Sequence, residues 1–265
     1  GNFVNWKAVA RSAIGTSHEN QEIDCQDYGD YRIFDDVIVG AVADGAGSAK
    51  HSDVGAKLAV ETALKYLSKI SEYLRKRQHW WQKVYQALSQ QEAEKLFTKT
   101  VNKVIAELGK KADKENYSVN DLACTLLVFV ATPDWVAAMQ IGDGFIVRRS
   151  QESEYQLLFQ PDKGEFANET TFITSANAVK EMQVTVISEK QEFICASTDG
   201  LEKVAIRLSD WKPFSPFFKP LEEYLHEPVN EEEKDKYLTE FLNSERLNSR
   251  TDDDKTLLLC LFDRE

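Results

Sequence analysis

Asp44 ends the run Val37-Ile-Val-Gly-Ala-Val-Ala43, and Gly45 and Gly47 follow it closely. A β-branched or small run of this length, bounded by Asp35-Asp36 and by glycines, reads as a buried strand. A carboxylate at its tip is held rigidly, and an adjacent glycine lets a backbone carbonyl approach whatever the carboxylate binds. Three further aspartates share this setting. Asp143 lies in Ile141-Gly-Asp-Gly144, Asp199 follows the run Phe193–Thr198, and Asp253 sits within Asp252-Asp-Asp-Lys-Thr256 ahead of the last apolar run. Taken singly, each reads as a turn or helix-cap residue, since Asp-Gly is a strong hairpin signal. Gathered on one edge of a packed sheet, four carboxylates would repel one another unless cations neutralised them. Oxygen ligands without a His/Cys cluster favour Mg²⁺ or Mn²⁺ over Zn²⁺.

The elements that must hold these residues follow from periodicity. Residues 6–14 alternate loosely, as a first strand does, and Tyr31–Phe34 with Val37–Ala43 predicts a hairpin joined at Asp35-Asp36. Ser52 is placed to cap a helix running to about residue 70, and a second helix is predicted over about 90–112 from Leu96, Phe97, Val101, Val104, Ile105 and Leu108. Between them, His79-Trp80-Trp81 reads as a small hydrophobic plug that packs rather than binds. Strands then dominate: Leu122–Ala131, Trp135–Ile141, Phe145–Arg148, Tyr155–Phe159, Gln183–Ile187, Phe193–Thr198 and finally Thr256–Phe262. Residues 160–178 are polar and predict a surface loop. In 203–250, four prolines (Pro213, Pro216, Pro220 and Pro228) are expected to break the first half, with a helix near 231–243. Two helices set among hairpins, without regular strand–helix alternation, predict an α+β fold with antiparallel sheets.

With 265 residues and no Pro/Gly/Ser-rich divider, one domain over 1–265 is expected. The formal charge of −12 argues against nucleic acid or an anionic membrane as partner. Cys25, Cys124, Cys195 and Cys260 show no metal or redox spacing and predict free thiols in a reducing compartment. Without a leader or an apolar stretch of ~20 residues, a soluble cytoplasmic monomer is expected.

The ordered set Asp44-Gly-Ala-Gly, Ala123-Cys-Thr125, Gly142-Asp-Gly, Ser197-Thr-Asp-Gly-Leu201 and Asp253-Asp-Lys-Thr256 resembles the type 2C metal-dependent serine/threonine protein phosphatases. Gly15-Thr-Ser-His18 and Cys25-Gln-Asp27 fall where that family has a Gly-x-x-Arg and a Glu-Asp pair. The His and Cys-Gln-Asp variants, with Asn168-Glu-Thr-Thr-Phe172, look like a bacterial branch. The match spans about residues 8–262.

The resemblance implies a four-layer α-β-β-α sandwich: two antiparallel sheets packed together, helices outside, a flap-like loop at 160–178 and a variable region at 203–250. It also implies a dinuclear Mn²⁺ or Mg²⁺ centre with Asp44, Asp199 and Asp253 as its catalytic carboxylates. Asp44 would bridge both ions, Gly45 would give its carbonyl, and Asp199 and Asp253 would complete the first metal's protein ligands. Gln26 and Asp27 would lie at the second, and Asp143 with Asp199 at a weaker third. A hydroxide shared by the two ions would then hydrolyse phosphoserine or phosphothreonine on a protein substrate, opposing a cognate serine/threonine kinase, with no covalent intermediate.

Two departures stand out. Gln26 replaces the family's glutamate and removes a charge. His18 replaces its phosphate-binding arginine and cannot form the bidentate fork, leaving His18 itself, Arg11, Lys50 or His51 to meet phosphate. These departures are the support for an alternative, a pseudophosphatase that keeps the fold as a binding module. A hydrolase of small phosphoesters is a third reading.

Overall fold

A computed structural model describes residues 5–159 and 170–264. In chain order these are β1 (Trp6–Ala13), α1 (Thr16–Asn20), β2 (Asp27–Phe34), β3 (Val37–Asp44), α2 (Ser52–Tyr66), α3 (Ile70–Arg77) and α4 (Gln90–Glu115). There follow β4 (Leu126–Ala131), β5 (Val136–Ile141), β6 (Phe145–Ser150), β7 (Gln156–Leu157), α5 (Ala178–Glu181), β8 (Gln183–Ile187) and β9 (Gln191–Ser197). The chain continues through α6 (Glu202–Ala205), β10 (Ile206–Arg207), β11 (Lys212–Pro213), α7 (Ser215–Leu225), α8 (Glu231–Leu242), α9 (Glu245–Asn248) and β12 (Lys255–Phe262).

Two antiparallel five-stranded sheets, ordered β1-β12-β9-β6-β7 and β2-β3-β4-β5-β8, lie face to face. Strand parity explains the layers. In β3 the odd positions Val37, Val39, Ala41 and Ala43 pack under α2 and α4, while Ile38 and Val42 face the other sheet. In β12, Leu257, Leu259 and Leu261 pack under α7 and α8, while Leu258 and Cys260 point between the sheets. Strands buried on both faces lose polar alternation and become continuous apolar runs, which is why both read so clearly in the sequence. The expected α+β architecture, two antiparallel sheets flanked by helices, is the one observed.

The helices differ from expectation in instructive ways. α4 begins with a reciprocal cap, Ser89 Oγ accepting from Glu92 N–H at 3.1 Å while Ser89 N–H donates to Glu92 Oε1 at 3.0 Å. It ends at Asn116, with φ of 59°. Ser52 is not the cap of α2 but its first residue, after His51, and its buried Oγ has no partner. The expected break at Pro216 and Pro220 is absent, for both lie within α7. Pro216 falls in the first turn, where a missing N–H costs nothing, and burial of Phe218, Leu221 and Leu225 outweighs the interior Pro220. Residues 160–169 of the expected flap lie outside the described residues, and 170–177 are turns leading to α5.

The aromatic plug is a clear correction. α3 follows α2 and buries Ile70, Ser71 and Leu74, but nothing buried lies beyond Leu74 until Tyr85. Trp80 is 92 % and Trp81 60 % exposed, so they are not part of the core. Among the described residues no helix is long and apolar enough to cross a membrane, and all four cysteines are free.

Candidate metal centre at the mouth between the sheets

Residues directly opposite in an antiparallel pair share a face. Asp27 of β2 pairs with Asp44 of β3, and Asp44 has the parity of Ile38 and Val42, so both carboxylates open toward the gap between the sheets. The other sheet answers from the same end. Thr198, just after β9, donates to Asp27 Oδ2 at 2.6 Å, and Thr256 of β12 donates to the same oxygen at 2.9 Å. The other oxygen, Asp27 Oδ1, is buried without a hydrogen-bond partner of its own.

Asp44 is fixed through its backbone. Its N–H donates to Thr125 Oγ1 at 3.0 Å, and its carbonyl accepts from Thr125 N–H at 2.9 Å. Gly45 N–H donates to the Gln26 carbonyl at 2.9 Å, and a Cβ at Gly45 would sit 2.7 Å from Ser52 Oγ and 2.8 Å from Gln26 O, so only glycine brings its backbone this close. Asp143 rides on a turn flanked by Gly142 (φ 95°) and Gly144 (φ 114°). Gln140 Nε2 braces that turn by donating to both glycine carbonyls, at 3.0 and 2.9 Å. Thr170 Oγ1 donates to Asp143 Oδ2 at 3.5 Å.

Carboxylate oxygens of Asp44, Asp143 and Asp199 come within 4.8 Å of one another. Burial, then the charges of Asp27 and Asp199, pushes the Asp44 carboxyl far above the ordinary range. Burial also raises Asp27 to about 7, against the opposing effect of the neighbouring Asp44 and Thr198. Burial, then Asp199's charge, raises Asp143 to about 7. Without a cation these groups keep protons that isolated carboxyls lose near pH 4. An oxygen-only cluster of this kind, with one buried oxygen orphaned, fits a divalent cation.

The other expected residues fall around this group. Asp253 is exposed and lines a cleft of about 440 Å³ with Asp199, though it is outside the 4.8 Å group. Gln26 is buried, its N–H donating to Asp254 Oδ2 at 2.8 Å. His18 Nδ1 lies 3.0 Å from that same oxygen. Arg11 pairs with Asp235 of α8 at 3.4 Å, and His51 stacks on Tyr117 with centroids 3.8 Å apart. The sequence reading missed Asp254, the buried member of the Asp252–Asp254 run, which also accepts from Gly15 N–H at 2.7 Å. It also missed Thr198 and Gln140. Parity could have found Asp254, which stands two residues before Thr256.

Comparison with known proteins decides the family. A family model described as Protein phosphatase 2C matches residues 14–243. The chain belongs to that family. It is 34 % identical over 267 residues to serine/threonine-protein phosphatase 3 of Escherichia coli K12, covering 98 % of this chain and 99 % of that one. The phosphatase 2C fold is also met in a serine/threonine phosphatase of S. agalactiae (TM-score 0.62, 16 % identity, 97 % of this chain and 100 % of that one). RsbX, solved in complex with magnesium, is a further neighbour (TM-score 0.51, 13 % identity, 97 % and 94 % coverage).

Proposed function

We propose that this phosphatase 2C chain is a protein serine/threonine phosphatase that uses two Mn²⁺ or Mg²⁺ ions to hydrolyse phosphoserine and phosphothreonine. The observation that carries the reading is the convergence of Asp44, Asp143 and Asp199 over a buried Asp27 whose Oδ1 is orphaned. Asp44, the Gly45 carbonyl, Asp199 and Asp253 would hold one ion, Asp44 with Asp27 and Gln26 the second, and Asp143 with Asp199 a weaker third. Bound there, the cations supply an activated water and positive charge for the phosphoryl oxygens.

The chain's own part is to aim and neutralise. Thr198 and Thr256 hold one oxygen of Asp27 and leave the other without a partner. Asp254 holds His18 through Nδ1 and so orients the ring, leaving Nε2 as the nitrogen that would face phosphate. The cleft beside Asp199 and Asp253 carries Lys203 and Arg250, cations suited to the chain flanking a phosphoresidue. A thiol nucleophile is disfavoured, because burial and then the charges of Asp27 and Asp254 push Cys25 up to about 12. A partner kinase would supply the phosphorylated protein.

Hydrolysis of a phosphothreonine peptide, followed with Mn²⁺, with Mg²⁺ and with excess chelator, tests the reading. Turnover with either ion and none with chelator is expected. No turnover with any divalent ion would favour the binding-module alternative, and full turnover under chelation would remove the metals from the account.

A further inference from the structure

The hairpin that carries Asp27 and Asp44 at one end carries the turn Asp35-Asp36 at the other. Eight residues of strand separate the ends by roughly 24 Å. Arg75 of α3 reaches that far turn, donating to Asp35 at 2.6 Å, and Tyr85 O–H donates to Asp36 at 2.7 Å. The segment 65–84 therefore forms the pole of the molecule opposite the carboxylates. Its composition is the inverse of theirs. From Lys65 to Lys83 there are six Lys or Arg and one acid, Glu72, a segment net of +5 in a chain of −12, of which Asp35, Asp36, Glu92 and Asp134 at the same pole offset four. Arg75 and Arg77 are ion-paired with Asp35 and Glu92, whereas Lys69, Lys76 and Lys83 are exposed and make no ion pair among the described residues. Beside the lysines stand Trp80, Trp81 and Val84, at 92, 60 and 55 % exposure, with His79 stacked on Trp81 at 4.4 Å.

We propose that this pole docks the protein on an anionic phospholipid surface. Indole rings prefer the headgroup boundary, where an apolar body and a polar N–H are both accommodated. Unpaired lysines around them add attraction to anionic headgroups. The unpaired cations are lysines, long-stemmed point charges without the fork that matches individual carboxylates, which favours a diffuse anionic surface over an acidic protein face. The overall charge of −12 predicts no such binding because it averages two poles. The acidic pole lies about three Debye lengths (~8 Å each) away in physiological salt, so its repulsion is screened. Docked this way, the carboxylate mouth faces solvent. The inference does not depend on the chemistry at that mouth.

Co-sedimentation of the full chain with vesicles of phosphatidylglycerol and phosphatidylcholine, against vesicles of phosphatidylcholine alone, tests it. Pelleting with the anionic vesicles only is expected, weakened by salt and accompanied by a blue shift of tryptophan emission. Lys69→Glu/Lys76→Glu/Lys83→Glu should lower the partition coefficient by about 10²-fold or more, and Trp80→Ala/Trp81→Ala should also lower it. Both variants should keep the wild-type melting temperature and phosphatase turnover, since exposed side chains remote from the mouth are removed. Failure of the wild type to pellet, equal pelleting with neutral vesicles, or unaltered pelleting of both variants would overturn the proposal. So would a lipid-free dimer in sedimentation equilibrium that Trp80→Ala/Trp81→Ala dissolves, for the pole would then be an interface between copies.

Discussion

One hairpin carries two pairs of aspartates, and they are treated in opposite ways. At the turn, Asp35 accepts from Arg75, and Asp36 accepts from Tyr85 O–H through its side chain and from Trp6 Nε1–H through its carbonyl. Those carboxylates are complete, and neither needs a further partner. At the other end, Asp27 and Asp44 face each other across the strands with two threonine hydroxyls on one oxygen and no cationic side chain hydrogen-bonded to either. Burial is the largest cause penalising ionisation of both, followed at Asp44 by the charge of Asp27. Carboxylates that serve structure come with their donors, while the pair we propose as metal ligands is left short of them.

Substitution should make the contrast plain. Asp44→Asn is expected to lower hydrolysis of a phosphothreonine peptide by more than about 10³-fold, beyond the loss of a single electrostatic donor. Asp36→Asn should leave turnover intact and cost only about 1 kcal/mol of stability, as one hydrogen bond does. Equal effects of the two on turnover, measured at saturating Mn²⁺, would erase the distinction between the ends. A smaller effect is expected at Thr256→Val, which keeps the shape and removes one donor to Asp27. Half-saturating Mn²⁺ should rise roughly 10–100-fold, the range typical when support behind a metal ligand is lost. An unchanged metal titration would mean that Asp27 does not serve the cation.

How much of this was legible depended on which forces set each position. The strands of the hairpin and β12 were readable because burial on both faces leaves uninterrupted apolar runs. Asp44, Asp143 and Asp199 were readable because they end such runs beside glycine. Asp254 was not, since three consecutive aspartates look alike until the register of β12 turns 254 and 256 toward the mouth. Thr198 looked like one more strand residue, although its hydroxyl crosses from one sheet to a carboxylate on the other. α7 was obscured by its prolines, whose cost is offset only by tertiary burial. Trp80 and Trp81 were misread because tryptophan is buried more often than not, and only the fold shows that α3 makes its last buried contact at Leu74.

The smallest effect expected is thermodynamic and concerns the metal-free protein. A carboxyl whose pKa is higher when folded than unfolded gives the folded state extra protons between the two values, so its contribution falls as pH rises through that window. Asp27 and Asp143, near 7 when folded against about 4 when unfolded, should make the apo protein lose stability between those values. Asp44, raised further still, should do the same. Asp44→Asn removes one such group. Its melting temperature in chelator should therefore exceed wild type by a few degrees near neutrality, since 1 kcal/mol moves a chain of this size by roughly 2–4 °C. The difference should shrink as pH falls toward 4. A variant less stable than wild type across that range would mean that the carboxylate pair is not strained.

Calorimetric titration of Mn²⁺ into chelator-stripped wild type and Asp44→Asn, at one pH near neutrality, bears most directly on the metal centre. Wild type should bind two ions, with proton release as the shared protons leave Asp27 and Asp44. Asp44→Asn should lose the bulk of that heat and of the proton release while remaining folded. Binding to the variant with unchanged stoichiometry and affinity would contradict the account.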